Sequence, residues 1–167
     1  MPMRVPKRKS ETQREALQGE PDRFLTPQAI SRLKDELERL IKDERGKAAA
    51  EVRRAGEMGD FSENAGYQAA KAHLRRVNGR ILSLQERLKH AIPIESGTDD
   101  GRVRIGTTVD VEMNGKASTY EILGSQESNP SRGRISYLSP LGAALMGHVA
   151  GDEVEGPSGI VRVVSVR

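Results

Sequence analysis

Residues 67–91 read YQAAKAHLRRVNGRILSLQERLKHA, and in this stretch Tyr67, Ala70, Leu74, Val77, Ile81, Leu84, Leu88 and Ala91 recur at alternating steps of three and four residues. That is the seam of a coiled-coil helix, which has to face a partner stripe. Pro93 stops the pattern, because its ring and missing N–H do not fit a helix interior. The partner stripe lies just upstream. Thr26-Pro27 sets an N-cap before a proline at the first helical position. Ile30, Leu33, Leu37, Leu40, Ala48, Val52 and Ala55 then follow at helical steps, broken only where Glu44 falls on the stripe. Gly56 and Gly59 end this helix, and Met58-Gly59-Asp60-Phe61 makes a tight turn. Two helices of similar length joined by a short turn bury their stripes against each other, which predicts an antiparallel coiled-coil hairpin over residues 24–93. At about 1.5 Å per residue, ~30 residues per helix give a rod roughly 45 Å long. A parallel dimer of continuous helices would bury the same stripes, but glycines at the turn argue for reversal, and a monomer is expected.

After Gly97-Thr98-Asp99-Asp100-Gly101 the apolar period changes to two. Val103-Ile105, Val109-Val111, Tyr120-Ile122, Ile135-Tyr137-Leu138 and Ile160 to Val166 read as short strands, with Asn114-Gly115 as a hairpin turn. Pro140 to Met146 reads as one short helix. Residues 101–167 are therefore expected to form a small, mostly antiparallel β domain, which makes the whole chain α+β. Residues 1–23 mix Pro2, Pro6 and Lys7-Arg8-Lys9 without apolar periodicity, and a disordered or loosely docked basic arm is expected there.

Hydrophobic residues make up only 35% of the 167 and aromatics 3%, so no large spherical core can be assembled and an elongated shape follows. No apolar run is long enough for a membrane span or a signal peptide, and a cytoplasmic protein without a membrane partner is expected. With no cysteine, disulfides, thiolate metal sites and cysteine nucleophiles are excluded. Charge is uneven along the chain. From Asn64 to His90 six basic residues (Lys71, Arg75, Arg76, Arg80, Arg87, Lys89) face one acid, Glu86, whereas residues 101–167 carry seven of each sign. A solvated helix face explains this on charge alone, and a polyanion partner is the functional alternative.

The segment with catalytic potential is Gly59-Asp60-Phe61-Ser62-Glu63-Asn64-Ala65, at the far end of the rod. Asp-x-x-Glu at a helix start is first of all a capping box, in which each side chain satisfies a free backbone N–H. Alternatively, Asp60 and Glu63 are oxygen ligands for Mg²⁺, which takes one or two carboxylates and completes its octahedron with water and phosphate oxygens. Two carboxylates hold Mg²⁺ weakly, so such a half-site works only when inserted where phosphate and a second metal already sit. His73, His90 and His148 are scattered and suggest no triad.

Gly59-Asp60-Phe61-Ser62-Glu63-Asn64-Ala65-Gly66-Tyr67-Gln68-Ala69-Ala70-Lys71 resembles the tip signature of the GreA/GreB transcript-cleavage factors. Leu25-Thr26-Pro27 with Leu33-Lys34-Asp35-Glu36-Leu37 resembles the start of the family's first helix, and Ile135 to Gly147, ISYLSPLGAALMG, resembles its C-terminal Ser-Pro helix motif. The resemblance covers about residues 24–167. It implies a coiled coil that enters the secondary channel of RNA polymerase and an FKBP-like domain that docks at the channel rim. It also implies that Asp60 and Glu63 help hold the second catalytic Mg²⁺, shared with the polymerase, while the polymerase itself cleaves backtracked RNA. Gly59, Ser62, Asn64 and Tyr67 complete the tip signature. Ser139, Pro140, Gly142, Leu145 and Gly147 fall on the docking motif. Lys71, Arg75 and Arg76 are the candidate contacts to the RNA 3′ end and to nucleic acid within the elongation complex. Two departures stand out: Gly66 replaces a further acid, and Gly56 replaces a larger residue usual in the family.

Three other functions compete. A channel-binding modulator or inhibitor without cleavage activity is disfavoured by retention of both acids. An autonomous nucleic-acid-binding coiled coil would leave the neutral C-terminal domain without a role. Prolyl isomerisation fits poorly, since Tyr120 and Tyr137 are the only aromatics there to line a pocket.

Overall fold

The computed structural model describes residues 22–57 and 65–167; the arm up to Pro21 and the segment from Met58 to Asn64 lie outside the described residues. The chain opens with β1 (Phe24–Leu25) and enters helix α1 (Pro27–Arg39) through Thr26, whose hydroxyl accepts the Ala29 N–H at 3.1 Å. Proline at the first position costs nothing, because that N–H has no partner within the helix. Helix α1 passes through a π-helical turn, Leu40–Glu44, into α2 (Arg45–Gly56), making one continuous first arm. In the π turn the Arg45 N–H reaches five residues back to the Leu40 carbonyl. This wide turn takes up one residue beyond the heptad spacing, and it lies where Glu44 interrupts the apolar stripe.

The second arm is a single helix, α3 (Ala65–Lys89), and it runs antiparallel to the first. Arg80 on α3 grips Glu36 on α1, while His73, nearer the tip, meets Glu51 on α2. Leu33, Leu40, Ala48, Val77, Ile81 and Leu84 bury the predicted seam, with Leu25 closing its base. There β1 pairs in parallel with β2 (Ile92–Pro93), so both ends of the hairpin are tied side by side.

Residues 108–166 contribute a five-stranded sheet in the order β5-β4-β3-β7-β6. Strands β3 (Thr108–Met113) and β4 (Lys116–Leu123) form a hairpin through Asn114 and Gly115, whose φ of 50° and 72° are what a tight turn matching the strand twist requires. Strand β5 (Arg134–Ser136) runs parallel to β4, and β6 (Glu153–Gly156) and β7 (Gly159–Val166) are antiparallel neighbours on the other side. Helix α4 (Pro140–Leu145) contributes Leu145 to a core made with Val103, Val109, Val111, Ile122, Ile135, Val154, Val161 and Val163.

Two strand readings need correction. Val103-Ile105 is not a strand: the backbone N–H and carbonyl of Val103 bond to His148 and Gly147, and Gly106 then turns the chain at φ 97°. The apolar alternation there reflects Val103 filling the core, not a ladder. Ile135-Tyr137-Leu138 ends as a strand at Ser136, because the Ser136 side chain accepts the Leu138 N–H and starts a turn into α4. Strand β6 went unread because Val154 is its one buried apolar residue. Among the described residues, no helix is long and apolar enough to cross a membrane.

Candidate functional site

The buried side chains of the hairpin become smaller towards its distal end. Near the base the seam is built from leucine, isoleucine and valine, but farther out the buried residues are Ala48 and Ala70. Small side chains bring helix axes close together and leave a shallow groove between α2 and α3, about 600 Å³ in volume. Ala55, Gly66, Ala69 and Ala70 form its apolar part, and Glu51, Arg54, His73 and Arg76 its polar part. The Glu51 carboxylate sits 2.9 Å from Nδ1 of His73, which ties the two helices together across the groove.

Helical geometry divides the three predicted RNA-binding residues between two faces. Lys71 and Arg75, four residues apart, lie on the side of Tyr67, and the Lys71 ammonium stands 5.3 Å from the centre of the Tyr67 ring. Arg76 turns instead into the groove, where Arg54 of the opposite helix joins it. Arg75 and Arg76 are exposed, and among the described residues no carboxylate forms a salt bridge with Lys71, Arg75 or Arg76. Arg80, one turn farther from the tip, is different: its guanidinium donates to both Glu36 oxygens, at 2.8 and 3.0 Å. Those hydrogen bonds hold the Glu36 carboxyl below the usual glutamate range. On α3, the cations without a carboxylate partner among the described residues, Lys71, Arg75 and Arg76, thus lie nearer the tip than the paired Arg80.

The tip residues Gly59, Asp60, Ser62, Glu63 and Asn64 lie outside the described residues. Their chain neighbours Gly56 and Ala65 end α2 and begin α3. Among the described residues, no cluster of three or more histidine, aspartate or glutamate side chains is placed to hold a metal ion.

The Ser-Pro motif builds the start of α4. The Ser139 hydroxyl donates to the Ser136 carbonyl at 2.6 Å and accepts the Gly142 N–H at 3.1 Å. A Cβ on Gly142 would stand 2.1 Å from the Ser136 carbonyl oxygen, so only glycine fits there. Gly147 has a φ of 81° and donates its N–H to Val103. Gly142 and Leu145 are buried and act through the fold, whereas Leu138, 61% exposed, Pro140, Ala143 and Gly147 form the accessible part of the motif.

A coiled-coil hairpin with a basic second helix, joined to a small β domain with an exposed Leu138 and Pro140 corner, defines an α+β protein of two dissimilar parts. The family profile described as "Transcription elongation factor, N-terminal" matches residues 23–92, and that described as "Transcription elongation factor, GreA/GreB, C-term" matches residues 98–167. The chain belongs to the GreA/GreB family of transcription elongation factors. Transcription elongation factor GreA of Thermomicrobium roseum is 42% identical over 149 residues, which cover 86% of this chain and 96% of that relative. The factor of the same name from Chloroflexus aurantiacus is 40% identical over 149 residues, 86% of this chain and 95% of that relative. Among solved structures, the GreA factor homolog 1 (Gfh1) protein of Thermus thermophilus is similar, at 29% identity and a TM-score of 0.41 over 87% of this chain and 99% of that one.

Sequence reading missed three residues of this surface. Arg54 lies on the first arm, outside the count that drew attention to the second helix. Leu138 continues the apolar run of a strand in sequence, but the strand ends at Ser136 and the Leu138 side chain is exposed. Glu127, which bonds to Thr26 from the β domain, has no local signal at all, because its partner is 101 residues away.

Proposed function

We propose that this chain stimulates RNA polymerase to cleave its own backtracked transcript, and so acts through the polymerase and not as an independent nuclease. The observation that best supports the reading is the placement of Asp60 and Glu63 in sequence between the ends of two long, antiparallel helices whose buried seam turns to alanine and whose described residues become more basic towards that end. In this reading, Asp60 and Glu63 would offer two carboxylates to a Mg²⁺ whose remaining ligands come from the polymerase and an RNA phosphate. Bound there, the ion would supply an activated water and neutralise charge on the phosphate under attack. The described part of the chain has donor chemistry of another kind. Lys71 and Arg75 on one face, and Arg54 and Arg76 in the groove, would hold phosphates of the displaced RNA 3′ segment. The β domain would dock on the polymerase through Leu138, Ser139, Pro140 and Gly147. Such a partner makes the protein cytoplasmic, and a single copy carries both parts.

Adding the full chain to a stalled, backtracked elongation complex tests this. Shortened transcripts that can be extended again are expected, and none should form from free RNA. Binding without cleavage would replace the reading with that of a channel-binding modulator.

A further inference from the structure

Helix α1 has no acid in its own first turn. The negative charge that a helix N-terminus favours is supplied from the other part of the molecule. Glu127, at the end of a short 3₁₀ turn in the β domain, places Oε2 2.7 Å from the Thr26 nitrogen and Oε1 2.7 Å from the Thr26 hydroxyl oxygen. The Thr26 hydroxyl also caps Ala29, so one side chain serves both the helix start and the contact between the two parts. The Glu127 side chain is only 11% exposed, with the Arg134 guanidinium 3.7 Å away. Around this pair, Asp22 accepts the Ser125 N–H, the Gln126 amide donates to the Asp22 carbonyl at 2.9 Å, and Phe24 meets Tyr137 edge to face at 5.7 Å. Gly124 makes the approach possible, since a Cβ there would stand 2.3 Å from the Phe24 carbonyl oxygen.

We infer that Glu127 is a positioning residue: by gripping both donors of Thr26, it fixes the direction of the rod relative to the β domain and so sets where the tip acids arrive. The inference rests on the function proposed above. Its physical basis is leverage. A tilt of about 5° at the base moves the end of a ~45 Å rod by about 4 Å, whereas metal–ligand distances tolerate about 0.2 Å. A misplacement of about 1 Å costs on the order of 100-fold in rate. The Phe24–Tyr137 stacking is apolar and tolerates sliding; two hydrogen bonds to one carboxylate do not.

The chain has no cysteine, so spin labels at Ala49→Cys, exposed on α2 in the distal half of the rod, and Lys116→Cys on the β3–β4 hairpin report the rod's direction in the full-length protein without polymerase. A narrow distance distribution is expected for the labelled parent, a broad one for Glu127→Ala, and an intermediate one for Glu127→Gln, which keeps one acceptor. In backtracked complexes, Glu127→Ala should lower the cleavage rate at saturating factor by about 100-fold. Its half-saturating concentration should stay within about twofold, because the docking motif is unchanged. Glu127→Gln should regain part of the rate. An unchanged distance distribution for Glu127→Ala, or a broadened one with the full saturated rate, overturns the inference. If the parent itself fails to cleave, the functional reading falls, and the distances alone then decide whether Glu127 sets the rod.

Discussion

Leu40 and Ala48 are both buried in the hairpin seam although eight residues separate them, one more than a heptad. The π turn at Leu40–Glu44 absorbs the extra residue, so the stripe stays on the face turned to α3. Deleting the exposed Lys42 should therefore convert the arm to plain α-helix and leave the fold within about 1 kcal/mol of the parent. Deleting Arg75 from α3, which has no such turn, should displace Tyr67, Ala70 and Leu74 from the seam and cost at least about 2 kcal/mol. Urea melts of the two deletions check this, and equal losses would mean that the π turn does not set the register.

Gly46 and Gly79 sit inside helices where an added Cβ would meet nothing within 4 Å. Alanine at either position should stabilise the hairpin by about 0.5–1 kcal/mol, through a less flexible unfolded chain and better helix propensity. The two sites are distant, so the gains should add. A lower melting temperature for either variant would show that these faces are not open.

Glu36 and Arg80 predict a pH dependence. Arg80 depresses the Glu36 carboxyl in the folded state, so the pair's contribution is present above the unfolded glutamate value, about 4.3, and disappears as pH falls through the folded value. Because both side chains are partly exposed, the contribution should stay under about 1 kcal/mol. Glu36→Gln should be less stable than the parent at pH 7, with the difference shrinking as the pH is lowered through the acid range, by chemical denaturation at a series of pH values. A difference that persists in acid would assign the loss to packing instead of charge.

Local patterns carried most of the fold. The 67–91 seam, the Thr26-Pro27 start, the Asn114-Gly115 turn and the Ser139-Pro140 helix each depend on residues a few positions apart, and each is seen as read. What escaped was long-range. Val103 alternates like a strand residue, but it bonds with Gly147 and His148, whose position depends on α4. Arg54 meets Arg76 only once the register of the hairpin is known, and the π turn shifts that register. The tip acids are a different case: their spacing admits both a capping box and a metal half-site, and resemblance to the GreA/GreB signature is what favours the second.

The basic residues near the tip give a test of RNA contact. Replacing Lys71 and Arg75, or Arg54 and Arg76, with alanine should raise the factor concentration needed for half-maximal cleavage several-fold. Each lost phosphate contact should also flatten the salt dependence, by about 0.7 in log–log slope for a single strand. The gap between variant and parent should therefore narrow as salt rises. Arg80→Ala is the control, since its charge is already matched by Glu36. Equal effects from all three changes would return these arginines and lysines to the role of a solvated helix face.

Asp60→Asn and Glu63→Gln are each expected to abolish stimulated cleavage while leaving folding and polymerase binding almost unchanged. An amide keeps the side-chain size and a carbonyl oxygen that still caps a helix, and asparagine is as good an N-cap as aspartate. If the acids serve only as a capping box, both variants should retain cleavage and lose at most about 1 kcal/mol of stability. Mg²⁺ distinguishes the two pairs of atoms, because it is held by anionic oxygen and a neutral amide oxygen is a far poorer ligand. With only two carboxylates offered by the chain, loss of either removes about half of its charge contribution. Cleavage should then fall by orders of magnitude at unchanged melting temperature, with partial recovery at raised Mg²⁺ or Mn²⁺. The measurement pairs a thermal melt with single-turnover cleavage in the same buffer. Near-normal cleavage by both amide variants would falsify the metal-ligand role of the tip acids even if the rod still entered the polymerase, and a large drop in melting temperature would move the effect back to the helix start.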